Sequence, residues 1–392
     1  MLNECMYDNF DRKENLHFDS KCVHGALGYE PITGAVSFPI FQTATFAHKD
    51  FSTATGYYYS RLQNPTRQEL ERTMAILENG ANGFAFSSGQ AANMAVFGML
   101  PKGSHVLLTD DIYGGTFRIA NDIFSQLDIT FEYIDMSDIR DVEAAIKENT
   151  KMIFVETPTN PMMKVADIEA IAKLAHDHGA TFVVDNTFLT PYFQKPLDLG
   201  ADIVVHSGTK YLCGHNDVIA GIVVVKSEEL VPHFEMQLKS RGAGLAPMDS
   251  WLILRGLKTL ALRMERHNEN SYKVAHWLRN HPKVKKVYYA GFEDHMNYAI
   301  TKKQTTGFSG MISFELESHE AVEKLLTTVQ MILFAESLGG TETLVTYPLT
   351  QTHESTPPDV REKLGINDRF VRISIGIENV EDIINDLDQA LA

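Results

Sequence analysis

The sequence predicts an α/β protein in which a large domain on a mostly parallel sheet is followed by a smaller α+β domain. Three observations predict it. Short apolar runs without polar alternation recur from about Ser104, as strands buried on both faces of a parallel sheet require. Amphipathic helical stretches separate them. After Trp251 the pattern changes to one long helical stretch followed by strands and helices of a different spacing.

Taken in order, residues 1–60 contain Pro31, Pro39 and several Gly and Thr, and read as an extended arm. A helix follows Asn64-Pro65, with Leu70, Met74 and Leu77 on one face and Asn79-Gly80 as its stop. Strands are expected at His105–Thr109, Ile129–Tyr133, Met152–Glu156, Thr181–Asp185 and Asp202–His206. The clearest helix runs from Asp167, a capping residue, through Ile168, Ile171, Leu174 and Ala175 to Gly179. The helical stretch from Leu252 to about Arg279 leads to strands at Gly310–Glu315 and Phe370–Ile375, with a helix over Glu320–Val329 between them. The domains expected are thus the arm (1–60), an α/β domain (61–255) and a smaller α+β domain (256–392).

Composition narrows the function. The chain has 392 residues, 44% hydrophobic and 22% charged, which is ordinary globular usage and argues against wholesale disorder. With 35 basic and 51 acidic residues the net charge is −16, which disfavours nucleic acid or an anionic membrane as partner while leaving room for a local basic pocket. No apolar run reaches membrane-spanning length, and Asp8, Asp11, Lys13 and Glu14 stand where a signal peptide needs apolar residues, so a cytoplasmic protein is expected. Cys5, Cys22 and Cys213 are odd in number and far apart, so neither a disulfide framework nor a zinc site is expected. His176-Asp177-His178 reads as the exposed end of a helix, not a metal site, and Glu378 to Asp386 as a solvated helix face.

The informative chemistry begins at Gly83-Phe-Ala-Phe-Ser-Ser-Gly-Gln-Ala-Ala-Asn-Met94, a strand, a turn of small residues and a helix start. Backbone N–H groups of Ser88, Gly89 and Gln90 at a helix N-terminus make a cup for a phosphate, although such a turn taken alone is only a turn. Asp185 ends a buried strand, at the edge where α/β sheets bind ligands. Lys210, in His206-Ser-Gly-Thr-Lys-Tyr211, ends the next one; alone it reads as a solvated lysine, beside a phosphate cup as the Schiff-base partner of an aldehyde cofactor. Tyr113, in Asp110-Asp-Ile-Tyr-Gly-Gly-Thr116, supplies a ring for stacking. An amine, an acid for a ring nitrogen, phosphate donors and a stacking ring are what pyridoxal 5′-phosphate needs.

The chain also carries Gly34-Ala-Val-Ser-Phe-Pro-Ile-Phe-Gln-Thr43, Tyr59-Ser-Arg61 followed by Asn64-Pro-Thr66, Glu156-Thr-Pro-Thr-Asn-Pro161 and Arg372-Ile-Ser-Ile-Gly-Ile-Glu378. In these motifs it resembles, over nearly its whole length, the Cys/Met metabolism (trans-sulfuration) family of fold-type I pyridoxal-phosphate-dependent enzymes. That resemblance implies that Lys210 forms the Schiff base and later moves protons, and that Asp185 pairs with the pyridinium. It implies that Ser88, Gly89, Gln90, Ser207 and Thr209 hold the phosphate, joined by Tyr59 and Arg61 from a neighbouring subunit. A shared site implies a homo-oligomer, at least a dimer and usually a tetramer built as a dimer of dimers. Arg372 would take the substrate α-carboxylate, assisted by Asn160 and Ser337, and Tyr113 would stack on the cofactor and help move protons.

The family performs β-elimination, γ-elimination and γ-replacement with the same core. Glu336, in Ala335-Glu-Ser-Leu-Gly-Gly340, and Arg118 resemble the cystathionine lyases and γ-synthases, and Gly115 stands where methionine γ-lyases typically carry a cysteine. Tyr58 stands where cystathionine-directed members often place an acid, and Gln351-Thr352-His353 departs from the commoner Met-Thr-His. The expected activity is a C–S lyase of cystathionine γ-lyase type acting on a sulfur amino acid. The alternatives are a γ-replacement enzyme (cystathionine γ-synthase or O-acylhomoserine sulfhydrylase), a cystathionine β-lyase and a methionine γ-lyase.

Overall fold

The computed structural model describes residues 15–51, 55–352, 354 and 357–392; Cys5, Asp8, Asp11, Lys13, Glu14 and His353 lie outside them. The described strands are β1 (Asn82–Phe86), β2 (His105–Thr109), β3 (Thr130–Ile134), β4 (Thr150–Glu156), β5 (Thr181–Asp185), β6 (Ile203–Ser207), β7 (Gly221–Val225), β8 (Val284–Tyr288), β9 (Met311–Leu316), β10 (Leu333–Phe334), β11 (Leu344–Thr346) and β12 (Phe370–Ser374). They belong to two compact units, one formed by Met1–Met99 with Asp202–Ala261, the other by Leu100–Ala201 with Leu262–Ala392.

In the first unit β7 lies between β1 and β6 and is antiparallel to both. Gly221-Ile-Val-Val-Val225 has the same unalternating apolar pattern as the parallel strands. Periodicity reports burial on both faces and says nothing about direction, so the pattern does not mark this strand as antiparallel. Ile222, Val223, Val224 and Val225 are wholly buried, each contributing about 1.5–3 kcal/mol of hydrophobic stabilisation. The helix Pro65–Glu78 starts at Asn64, whose side chain accepts from the Thr66 N–H at 3.0 Å, and stops at Asn79 in the left-handed region. It buries Leu70, Met74 and Leu77.

The expected arm is not wholly extended, because Phe18–His24 forms a helix with Cys22 buried. The chain behind it is tied down where Ala26 N–H donates to Glu69 Oε1 at 3.0 Å and Thr73 Oγ1 at 3.1 Å. The expected long helix is two, Pro247–Leu257 and Leu260–Asn280. The break falls where the Thr259 N–H and hydroxyl both turn back to the Gly256 carbonyl, each at 3.2 Å.

The second unit carries the parallel run β5-β4-β2-β3, with the helix Ile168–Asp177 capped by the Asp167 side chain on Ala170 N–H at 3.1 Å. It also carries a five-stranded sheet of order β10-β11-β12-β9-β8, in which only β10 and β11 pair in parallel. Phe314, Leu316, Val371 and Ile373 of that sheet form one core with Leu325, Ile383 and Leu387 from the helices His319–Thr328 and Val380–Leu391. Asp386 does not belong to a solvated face. It is buried and accepts from Gln330, Met331 and Ile332 N–H at 2.8, 2.8 and 2.7 Å. Among the described residues no helix is long and apolar enough to cross a membrane.

Candidate active site

In the first unit, β1 ends at Phe86 and the helix Gly89–Phe97 begins three residues later. Ser88 caps it, its Oγ accepting from Ala91 N–H at 3.0 Å. The N–H groups of a first helical turn have no carbonyl partner within the helix, so the positive end of the helix is available to an anion. A Cβ at Gly89 would come within 3.3 Å of the Ser207 Cβ and 3.4 Å of its Oγ. Across the turn, a Cβ at Gly221 would sit 2.1 Å from the Ser88 carbonyl. Glycine at both places lets this turn lie directly against the ends of β6 and β7. The Gln90 Oε1 is buried and has no hydrogen-bond partner among the described residues.

The segment after β6 is pinned by Thr209, whose hydroxyl accepts from Ala220 N–H at 3.0 Å and donates to Ala220 O at 3.3 Å. Lys210 N–H donates to Ser207 O at 3.2 Å, and Gly214 N–H to Lys210 O at 2.8 Å. Lys210 is half-buried, with Tyr211 and Leu212 fully buried behind it. His206 is packed inside, 2.5 Å from Glu78 Oε1, and both side chains are buried. Tyr58, Tyr59 and Arg61 are exposed. Arg61 donates to the Lys239 carbonyl and lies 5.7 Å from the Tyr59 ring centroid, while Tyr58 packs on His48 at 4.9 Å.

In the second unit Asp185 closes β5, and its Oδ1 accepts from the Thr187 N–H at 3.0 Å and from the Thr187 hydroxyl. Glu156 closes β4 as the register partner of Asp185. Tyr113 N–H donates to Glu156 Oε2 at 3.1 Å, which fixes the backbone from which the half-exposed Tyr113 ring projects. Burial pushes the Glu156 carboxyl well above the usual carboxylate range, Asp185 and Asp111 add to the rise, and N–H donors from Tyr113 and Asn160 oppose it. Asp111, also buried, is pushed up to about 7 by burial and by the charge of Asp110, although Lys164 and the Thr159 hydroxyl pull the other way.

Asn160 is joined to Pro161 by a cis peptide bond, and a second cis bond joins Thr157 to Pro158. Arg372, on β12, is 1% exposed. Its Nη1 donates to Asn160 Oδ1 at 2.9 Å, and its Nη2 to Ser337 O at 2.9 Å and Thr346 Oγ1 at 3.2 Å. The structure therefore joins Arg372, Asn160 and Ser337 in one network, and Tyr113 and Asp185 through Glu156. Arg118 and Glu336 stand exposed at the surface of the same unit, outside these networks. Glu156, Asp111, Thr187 and Thr346 were given no role by the sequence reading. The signal for Glu156 was its place at the end of an apolar strand, the same position that singled out Asp185. Among the described residues no cluster of three or more metal-ligating side chains occurs.

A fold of this class is shared with pyridoxal-phosphate-dependent enzymes. Residues 19–392 match the Cys/Met metabolism PLP-dependent enzyme family, and the chain belongs to that family. It is 47% identical over 372 residues to the cystathionine beta-lyase of Lactococcus lactis subsp. cremoris (strain MG1363), covering 95% of this chain and 98% of the relative. It is 48% identical over 369 residues to the cystathionine gamma-lyase of Bacillus subtilis (strain 168), covering 94% and 97%. Among solved structures it is similar to cystathionine gamma-lyase from Lactobacillus plantarum complexed with L-serine, with a TM-score of 0.94, 43% identity and coverage of 96% and 98%. The cofactor is thus pyridoxal phosphate, held through a lysine as in this family, and the glycine-lined turn at the start of helix Gly89–Phe97 fits its phosphate.

Proposed function

We propose that this enzyme is a C–S lyase of cystathionine γ-lyase type, which cleaves cystathionine to cysteine, 2-oxobutyrate and ammonia and also carries out β-elimination. The observation that carries it is Glu336, an exposed carboxylate next to Ser337, whose carbonyl the carboxylate-reading Arg372 holds. A substrate with an α-carboxylate at Arg372 and a second ammonium further along matches that pair of charges, and cystathionine has both.

Bound pyridoxal phosphate supplies an electron sink for the charge that develops at the substrate α-carbon. Lys210 is its covalent partner and the base that takes the α-proton. For γ-cleavage the same amine, after passing on the first proton, would also remove a proton from the β-carbon before the thiol departs from the γ-carbon. Asp185 holds the charge of the ring nitrogen, and Tyr113 offers its ring to the cofactor face and its hydroxyl to proton movement. Ser88, Gly89, Gln90, Ser207 and Thr209 bind the phosphate. Tyr59, at the end of the arm (1–60), and Arg61, at the start of the α/β domain, complete it from a neighbouring copy, which makes the working form a homo-oligomer, a dimer of dimers. Arg372, steadied by Asn160 and Ser337, binds the α-carboxylate as a two-pronged pair. The α/β domain (61–255) carries the cofactor machinery, the smaller domain (256–392) supplies the carboxylate site, and the enzyme works in the cytoplasm.

Tyr58 supports a second reading, γ-replacement on an O-acylhomoserine, because an aromatic there offers no charge to a distal ammonium. Product analysis decides. Cysteine with 2-oxobutyrate supports γ-cleavage, and homocysteine with pyruvate makes the enzyme a β-lyase. Replacement of O-acetyl- or O-succinylhomoserine by cysteine or sulfide, much faster than 2-oxobutyrate release, would sink the lyase reading.

A further inference from the structure

We propose that Glu156 is a positioning residue that aligns the stacking tyrosine, the ring-nitrogen acid and the carboxylate-binding arginine with one another. The inference rests on the roles given above to Tyr113, Asp185 and Arg372, and not on which C–S bond is cleaved. Two hydrogen bonds meet at this one carboxyl, and the backbone that carries it lies beside a third site residue. Its Oε2 accepts from the Tyr113 N–H at 3.1 Å. It accepts from the backbone N–H of Asn160, whose side chain in turn receives Arg372 Nη1 at 2.9 Å. Its Cα is the register partner of Asp185 on the neighbouring parallel strand.

The site is built to hold this group. Glu156 is only 7% exposed, and its own N–H donates to Thr109 Oγ1 at 3.1 Å, so the side chain leaves β4 in a fixed direction. Strand β4 lies between β2, which leads to Tyr113, and β5, which ends in Asp185. A carboxyl at the end of the middle strand reaches toward both neighbours and toward its own following turn. Burial beside Asp185 and Asp111 makes it a costly place for an acid. A residue kept there at a cost, with its oxygens on backbone donors of site residues, is accounted for by what it orients.

The test uses the cofactor-loaded oligomer and the variants Glu156→Ala, Glu156→Gln and Glu156→Asp. Because a misplacement of about 1 Å costs roughly 100-fold in rate, Glu156→Ala is expected to lower kcat by about 10- to 100-fold. KM for the amino acid should rise about 10-fold through the loosened Asn160–Arg372 pair. The visible circular dichroism of the bound cofactor, recorded without substrate, should weaken as the Tyr113 backbone shifts. Gln keeps an acceptor oxygen at the same reach and is expected to recover at least ten-fold in kcat over Ala, whereas Asp, one carbon shorter, is not. Unchanged kcat, KM and dichroism in Glu156→Ala would overturn the proposal, and so would a Gln variant as impaired as Ala. If the Ala variant does not fold, the order Gln above Asp carries the test, and Asp equal to or above Gln refutes it. Because the dichroism needs no substrate, and the same losses are expected for cystathionine and for O-acylhomoserines, a wrong substrate assignment leaves this result readable. A wild-type protein without a cofactor band would instead refute the cofactor roles themselves.

Discussion

Replacing Asp111 by Asn is expected to stabilise the protein at alkaline pH and to do nothing for it near pH 4. Asp111 is 1% exposed, its Oδ2 takes the Thr159 hydroxyl at 2.5 Å, and its Oδ1 is buried without a partner among the described residues. Burial and Asp110 raise its carboxyl from 3.8 to about 7. Below about pH 4 folded and unfolded chains both carry the proton, and ionisation costs nothing. Between that pH and about 7 the unfolded chain gives up the proton while the folded one retains it, so stability falls as pH rises. Above about 7 the cost is complete. Roughly three pH units at about 1.4 kcal/mol each come to about 4 kcal/mol, an upper figure because a relaxing site returns part of it.

An asparagine there keeps a carbonyl for Thr159 and turns an N–H donor toward the Asp110 carboxylate, which removes the ionisation and its cost. At about 2.1 cal/mol/K per residue of unfolding entropy over 392 residues, 4 kcal/mol is a rise of about 5 °C in Tm. Thermal scans of both proteins at equal cofactor concentration, from pH 4.5 to 8.5, should show the gap opening through pH 5–7 and levelling beyond about 7.5. A difference that does not change with pH, or an asparagine variant less stable than wild type at pH 8, would show that Asp111 is held ionised by Lys164 and that its burial is not a cost.

Three further outcomes are expected. Arg372→Lys loses the two-pronged donor geometry held by Asn160 and Ser337, so KM for the amino acid should rise about 100-fold with a smaller change in kcat; steady-state kinetics with unchanged KM would remove Arg372 from substrate binding. Gly89→Ala places a Cβ 3.3 Å from Ser207 in the phosphate turn and should weaken cofactor binding at least about ten-fold by equilibrium dialysis; retained affinity would put the phosphate elsewhere. Asp386→Ala strips three backbone N–H groups of their acceptor and should cost about 3 kcal/mol in denaturant unfolding. Burial works against the Asp386 charge, but the three N–H donors outweigh it and lower its pKa, so this contribution is present above the ordinary aspartate range and fades as pH falls through the lowered value.

Periodicity made the fold class legible because a strand buried on both faces leaves an unbroken apolar run, and β2, β4 and β5 each read that way. The same signal is blind to strand direction: Gly221–Val225 carries the same run and is antiparallel to both of its neighbours. It is equally blind to a helix break such as Lys258-Thr259, where no proline or left-handed residue marks the interruption. Asp386 read as a surface acid because its neighbours on the helix are acidic, whereas its partners lie 54 to 56 residues away. Local sequence can name a cap only when donor and acceptor are near in the chain.

At the candidate site the division is similar and has a functional side. Asp185 and Tyr113 stand out in the sequence because one ends a strand and the other follows one, at the edge where α/β sheets bind ligands. That Arg372 meets Asn160, 212 residues away, came from the family motifs and not from any spacing. Glu156 went unassigned because its importance is a matter of register: only when β4 is placed between β2 and β5 does one carboxyl face Tyr113, Asn160 and Asp185 together. Arg372, Asn160 and Glu156 are buried and linked in series, Arg372 to the Asn160 side chain and the Asn160 N–H to Glu156, so altering one disturbs the others. Glu336, Arg118 and Tyr58, on which the choice of substrate is argued, stand exposed and outside those networks. They can change without disturbing that core, which gives a physical route for one fold to serve β-elimination, γ-elimination and replacement.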